Sequence, residues 1–235
     1  PTDLAIKSVL FSVAAREGID FILRANDFRS EGTQPREWTY GDGRQIRHVH
    51  SRFGKVKLRT YPNYTICKLV HYATIKGIKN YFPFYYLDYN KKNAQEFLAK
   101  QYGWQYYGGH HYENIFTKFA ITYWLYKKFN IDKRKITLSA QILSGEITRD
   151  QGIKMLQQKP FDDNMIDQEV EYVIKKLDIS RKQFEEILTL PNQSFQDYPS
   201  YYGIMTRLSR FLFPVLNMLY PYKPMSLYQM EMRFK

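Results

Sequence analysis

The stretch "PTDLAIKSVLFSVAAREGIDFILRANDFRSEG", residues 1–32, spells a helix, a glycine stop and a strand in that order. Leu4, Ala5, Val9, Leu10, Val13 and Ala14 recur at helical spacing, Thr2 stands where an N-cap residue would, and Gly18 ends the run. The apolar "IDFILRAND" that follows reads as a buried strand. A helix leading through a short glycine turn into an apolar strand is the half-unit of an α/β sheet. In such sheets ligands sit beyond the carboxyl ends of the strands. The segment "NDFRSEG", residues 26–32, is therefore the first place to expect binding chemistry.

Downstream, "TQPREWTYGDGRQIRHVHSRFGKVKLRTYP" carries Pro35, Gly41, Gly43 and Gly54, which predicts a long excursion with a short helix over residues 45–53. "NYTICKLVHYATIKG" predicts a helix ending near Gly77, with Cys67 as a small core residue on its apolar face. "YFPFYYLDYN" reads as extended, and "NKKNAQEFLAKQYGW" as a helix stopped by Gly103. From Phe116 onward the strand signals fade. "TKFAITYWLYKKFNI" has helical spacing, and Thr148/Gln151 and Ser180/Gln183 each form a capping-box pair.

Composition narrows the functional class. The 235 residues suffice for one substantial core or one large domain with a small appendage. No apolar run reaches the length of a membrane span; "FLFPVLNMLY", residues 211–220, is broken by Pro214 and Asn217 and reads as core or a partner contact, so at most peripheral membrane contact is expected. The single cysteine excludes an internal disulfide and multi-cysteine metal sites, and fits a reducing cytoplasm. The opening residues, with Asp3 and no cationic leader, read as a helix from within a fold. A net charge of +12 and 21 tyrosines suit phosphorylated small molecules as well as nucleic acid. The cations are spread along the chain without a nucleic-acid-binding signature, so nucleic acid is not an expected partner.

The densest chemistry lies in "YYGGHHYEN", residues 106–114. The spacing of His110, His111 and Glu113 is wrong for a helical zinc motif, so no metal site is expected. If extended, His111 and Glu113 share a side while His110 faces away, which suits a hydrogen-bonded or acid/base pair. Gly108 and Gly109 allow positive φ or a close backbone approach. Lys133 and Arg134 in "NIDKRK" either hold phosphates or end a solvated helix. His48 and His50 would share a face if extended. No G-x-S-x-G elbow or Walker A loop is present.

Several segments together resemble the N-acetyl sugar amidotransferases of surface polysaccharide synthesis. That family belongs to the PP-loop ATP pyrophosphatase superfamily, related in fold to the catalytic domains of asparagine synthetase and GMP synthetase. The resemblance rests on "PTDLAI", "NDFRSEG", "IRHVHSRFG", "GWQYYGGHHYENIFTKF", "KKFNIDKRK", "LSAQILSGEITRDQ", "LDISRKQFEEILTLP" and "DYPSY", and spans the chain to about Tyr201. It implies an α/β fold, the remnant of a parallel-sheet PP-loop ATPase domain over residues 1–105, followed by a mostly α-helical substrate and partner region over residues 106–235. It further implies ATP-dependent conversion of the N-acetyl group of a nucleotide-linked sugar to an acetamidino group. ATP with Mg2+ would be the cofactors, a glutaminase subunit would supply ammonia, and an ATP-binding N-terminal half outside this sequence would be needed for activity.

Carried onto this sequence, the resemblance gives catalysis to His111 and Glu113. It gives substrate and nucleotide contact to Asn26, Glu31, Gly32, His50, Gly108, Gly109, Lys133, Arg134, Ser144, Gly145 and Arg149. The chain departs from the family in having Arg24-Ala25 where a glycine is usual, and His110 where a lysine is usual. The family's Ser-Gly-Gly-x-Asp-Ser loop and early cysteine pairs are not in this sequence, which therefore aligns with the later part of the enzyme. Two rival readings stay open: a non-catalytic binding or assembly module of the same fold, and a nucleic-acid binder using the basic aromatic surface.

Overall fold

The computed structural model describes residues 1–35, 38, 40–109, 111–208, 211, 214 and 218. His110, and most of the 211–220 stretch, lie outside the described residues. The described chain is mostly helical with one small parallel sheet, α/β in general terms. It divides into two compact units. The first takes residues 1–26, 34–86 and the segment from Gln193 onward; the second takes residues 27–33 and 87–192.

In the first unit, α1 (Thr2–Glu17) ends at Gly18, whose φ of 67° lets its N–H reach the Ala14 carbonyl. Thr2 is the first helical residue rather than the cap; the cap position falls on Pro1, with no side-chain bond. Strand β1 (Phe21–Leu23) follows and pairs in parallel with β2 (Lys79–Tyr81), in the register Phe21↔Lys79, Ile22↔Asn80 and Leu23↔Tyr81. The expectation of a buried strand is corrected. Phe21 and Leu23 are 61% and 64% exposed, and only Ile22, facing α1, is partly buried. One face of the sheet is covered and the other is not, whereas parallel sheets ordinarily bury both.

On the covered side, Phe11, Ala14 and Ile78 form the core. The Phe11 ring stacks on Tyr64 and Tyr72, each at 5.7 Å between centroids. Elsewhere in this unit, α3 (Gly43–Phe53) supplies the helix expected in the excursion. Asp42 caps it through the N–H groups of Arg44 and Gln45, both at 2.8 Å. Its other oxygen accepts from the Tyr40 hydroxyl and, at 2.7 Å, from the Tyr201 N–H. Because α3 is helical, His48 and His50 do not share a face, since two helical residues turn through about 200°. Cys67, on α4 (Ile66–Val70), is exposed, not in the core. Strand β2 occupies only the start of "YFPFYYLDYN"; Pro83 then opens a 3-10 turn through Tyr85.

In the second unit, α2 (Phe28–Glu31) is capped by buried Asp27, and α5 (Lys91–Tyr102) by Asn90, with Gly103 at φ 65° as its stop. A continuous helical rod then runs through α6 (Ile115–Phe119), a π turn (Ala120–Trp124) and α7 (Leu125–Phe129). After it come α8 (Arg134–Leu143), α9 (Arg149–Gln157), α10 (Ile166–Leu177) and α11 (Arg181–Thr189). Both expected capping boxes form, at Thr148 with Gln151 and at Ser180 with Gln183. The core gathers Phe119, Ile166, Val170, Val173, Ile174 and Phe184.

A second π turn lies in the first unit at His71–Ile75. Each π turn holds a threonine whose hydroxyl donates to the carbonyl four residues back, Thr122 to Lys118 and Thr74 to Val70, both at 2.8 Å. A side chain that takes the i−4 carbonyl leaves the backbone N–H groups to slide to i−5, which widens the turn.

Candidate functional site

The glycine pair shapes the loop that leads into α6. Gly108 takes φ 92°, and a Cβ added at Gly109 would lie 2.6 Å from carbons of the Tyr112 ring. The ring of Tyr112 thus closes over the loop backbone at a spot only glycine fills. Burial pushes the Tyr112 hydroxyl above its ordinary value; Arg134 pulls it back, while Tyr106, Asp132 and Glu169 add to the rise. Lys118, paired with Glu169, stands 5.8 Å from the Tyr112 ring centroid.

At the loop's turn, His111 has φ 60°, a left-handed conformation costly for a residue with a Cβ. The turn brings its Nδ1 to 3.2 Å from Glu113 Oε1, with the two side chains 58% and 51% exposed. An ionised carboxylate can only accept, so Nδ1 is the donor in this contact. Trp104, Tyr106 and Tyr107 form a ring cluster on the same loop, with centroids 5.8 to 6.1 Å apart.

Arg134 takes a different part from the one the sequence suggests. Its guanidinium bonds both oxygens of buried Asp132, at 2.7 to 3.2 Å. The remaining donors go to the carbonyls of Met155, Gln158 and Lys159, at 3.1, 2.7 and 3.4 Å. Those carbonyls belong to the last turn of α9 and the residues just after it, so Arg134 caps that helix from outside. Lys133 precedes it at the N-cap position of α8.

A second group of the nominated residues lies where α2 packs on α8. Gly32 has φ 69°, and a Cβ there would sit 2.7 Å from the Ile136 carbonyl oxygen and 3.2 Å from the Ala140 Cβ. Glycine is required for the two helices to touch. The Ser144 hydroxyl donates to the carbonyls of Ala140 at 2.9 Å and of Arg29 and Gln141 at 3.3 Å, and Gly145 turns the chain at φ 77°. Glu146 accepts from the Lys91 N–H at 3.3 Å. Nearby, burial raises the Tyr89 hydroxyl above its usual value, and the carboxylates of Asp27, Glu146 and Glu31 push it the same way.

Arg149 opens α9, exposed and apart from both groups. Asn26 and His50 belong to the first unit. There the His50 ring bonds the Val56 carbonyl at 2.6 Å, and a Cβ on Gly54 would collide with that ring at 2.3 Å. His50 and Gly54 together make the turn that leaves α3. Sequence reasoning missed Asp27, Tyr89, Tyr112, Asp132 and Glu146. The signals for Asp132, Asp27 and Tyr112 were local, an arginine two residues on, a helix start two to three residues on and a glycine three residues back; for Tyr89 and Glu146, partners distant in sequence carry the information.

Arg134, Ser144 and His50 spend their polar atoms on carbonyls of the fold and on Asp132. Among the described residues, no group of three or more His, Cys, Asp or Glu side chains is arranged to hold a metal ion. Nor is any helix among them long and apolar enough to cross a membrane.

The chain matches no curated protein. No solved structure matches it either. Residues 113–210, from Glu113 through the Asp132–Arg134 pair and both capping boxes, match the family model described as LPS biosynthesis protein WbpG-like, C-terminal domain, so this part of the chain is similar to a domain of lipopolysaccharide biosynthesis.

Proposed function

We propose that this chain acts in the ATP-dependent conversion of the N-acetyl group of a nucleotide-linked sugar to an acetamidino group during lipopolysaccharide biosynthesis, with ammonia delivered by a glutaminase subunit. In this reading the protein is an enzyme of the N-acetyl sugar amidotransferase type, its sheet region is the remnant of a PP-loop ATPase domain, and it works in the cytoplasm. The observation that carries it is the His111–Glu113 pair, held in its turn by a glycine loop at the edge of the WbpG-like match.

The amide carbonyl of an N-acetyl group is a poor electrophile. Adenylation of its oxygen by ATP would let that oxygen leave as AMP when ammonia attacks the carbon, and in this reading the Nε2 of His111 takes the proton lost from nitrogen. Glu113 fixes the tautomer and stabilises the imidazolium that forms. The exposed rings of Tyr106 and Tyr107, backed by half-buried Trp104, would offer the sugar a flat apolar surface on the same loop as that base. ATP with Mg2+ belongs to this reading as the source of activation; its phosphates would be held by groups other than Arg134, Ser144 and His50, whose polar atoms serve the fold.

The test is mass spectrometry of UDP-linked N-acetyl sugars incubated with the purified protein, a PP-loop ATP-binding half supplied as a separate polypeptide, ATP, magnesium, ammonium and the glutaminase. The expected product is the amidine with AMP. His111→Gln is expected to lower its formation by about 10²- to 10⁴-fold, the usual contribution of a positioned base. Undiminished turnover in that variant would remove His111 from the mechanism.

A second reading, a non-catalytic assembly module, is favoured by the apolar side chains left exposed in the first unit: Ile6, Val9 and Leu10 on α1, and Phe21 and Leu23 on β1. Under it, the same substitution leaves partner binding intact and no amidine forms in any mixture.

A further inference from the structure

The carboxyl end of the β1–β2 sheet holds a charge arrangement that neither the match nor the resemblance assigns. After the Gly18 turn, β1 runs back along α1, so the beginning of the helix lies over the end of the strand. Side chains alternate across a strand, which puts Arg24 on the same side as Ile22, the side packed against Phe11 and Ala14. Asn80, opposite Ile22 in the register, faces the same way. Lys7, one turn before Phe11, projects from the helix toward this end.

Lys7 and Arg24 are thereby two partly buried cations within electrostatic reach of each other. Burial and Arg24 both hold the Lys7 ammonium below the usual lysine value, and burial lowers Arg24 as well. On Arg24 the Tyr64 hydroxyl and then Asp3 act against the shift, and on Lys7 Asp3 does. Neither cation forms an ion pair with a described residue. Alongside them, Asn80 is 8% exposed, and its buried side-chain oxygen has no hydrogen-bond partner.

Two like charges drawn together and away from water are costly unless an anion joins them. Arginine offers a fork that fits a phosphoryl group, and lysine adds a point charge. A buried amide oxygen asks for a donor, which a phosphate lacks but a ligand hydroxyl supplies. The carboxyl end of parallel strands is where such sheets receive ligands. We propose that Lys7 and Arg24 form a binding site for a phosphate monoester of a hydroxylated compound, with Asn80 accepting a hydroxyl of the same molecule. Arg24 stands near a position where the resembled family has glycine, so the site belongs to this chain and does not depend on the amidotransferase reading.

The experiment titrates the whole chain with glucose 1-phosphate, AMP and inorganic phosphate at constant ionic strength, by calorimetry and by melting temperature. At least one ester is expected to bind saturably and more tightly than inorganic phosphate, and to raise the melting temperature with concentration. Lys7→Met is expected to melt no lower than the wild type without ligand, because it removes a cation from a repulsive pair, yet to weaken binding at least tenfold. Arg24→Gln is expected to weaken it similarly, and Asn80→Ala to narrow the gap between ester and inorganic phosphate. Absence of saturable binding in the wild type overturns the site; so does wild-type affinity in a folded Lys7→Met protein, which settles the matter even if Arg24→Gln fails to fold.

Discussion

The helical core of the second unit and the sheet region of the first handle apolar side chains in opposite ways. On α10, Ile166, Val170, Val173 and Ile174 recur at helical spacing, and all four are buried against the rod of α6 and α7 and against α11. On α1 the apolar residues go all round the helix, so Phe11 and Ala14 are buried while Ile6, Val9 and Leu10 meet solvent. The same holds across β1, where Ile22 is covered and its two neighbours are not. An amphipathic stripe can be closed by a few neighbours nearby in sequence, whereas a helix or parallel strand apolar on every side needs covering on every side.

Substitutions that remove an apolar side chain break this comparison most sharply. Phe184→Ala, in the helical core, is expected to cost about 3–5 kcal/mol, while Phe21→Ala, on the open sheet face, stays within about 0.5 kcal/mol. Denaturant unfolding of the two variants reads the difference, and equal losses would mean that the outer sheet face is covered in the native protein. Next in size is Arg134→Met, which strands the Asp132 carboxylate and uncaps α9. It is expected to cost about 3 kcal/mol, and a surface role in phosphate binding alone would cost almost nothing.

Asp42→Ala tests the first unit's own tether, since one carboxylate both caps α3 and accepts from Tyr201. A loss of about 1–2 kcal/mol is expected, together with faster amide exchange at Tyr201. The smallest effect has the opposite sign. Asp178 ends α10 at φ 55° with a negative charge at the helix C-terminus, so Asp178→Gly is expected to stabilise the protein by about 0.5–1 kcal/mol, visible as a small rise in melting temperature.

Much of the site's frame was readable in the sequence, and its wiring was not. The glycine pair at 108–109 announced a tight turn, and Tyr112 folding onto Gly109 shows why the turn needs it. The nearness of His111 to Glu113 followed from their spacing, but the left-handed backbone that sets their contact did not. Arg134 in a basic run looked like a phosphate ligand because its partners, Met155 to Lys159, lie a helix away in sequence.

What the sequence by itself determined are the elements governed by neighbours a few residues apart. These include α1 with its Gly18 stop, the strand after it, the helices ended by Gly77 and Gly103, and the capping boxes at Thr148 and Ser180. Short-range hydrogen bonds and helical periodicity are written in local order, so they can be read there. Only the tertiary structure decided that Gly32 is needed for α2 to touch α8, that His50 closes a turn, and that Cys67 faces solvent. It also grouped the segment after Gln193 with the N-terminal half through Asp42 and the rings of Tyr40, Phe195 and Tyr202. Each of these depends on which distant surfaces meet, and that is settled by the joint burial of apolar area across the chain, a quantity no local stretch of sequence contains.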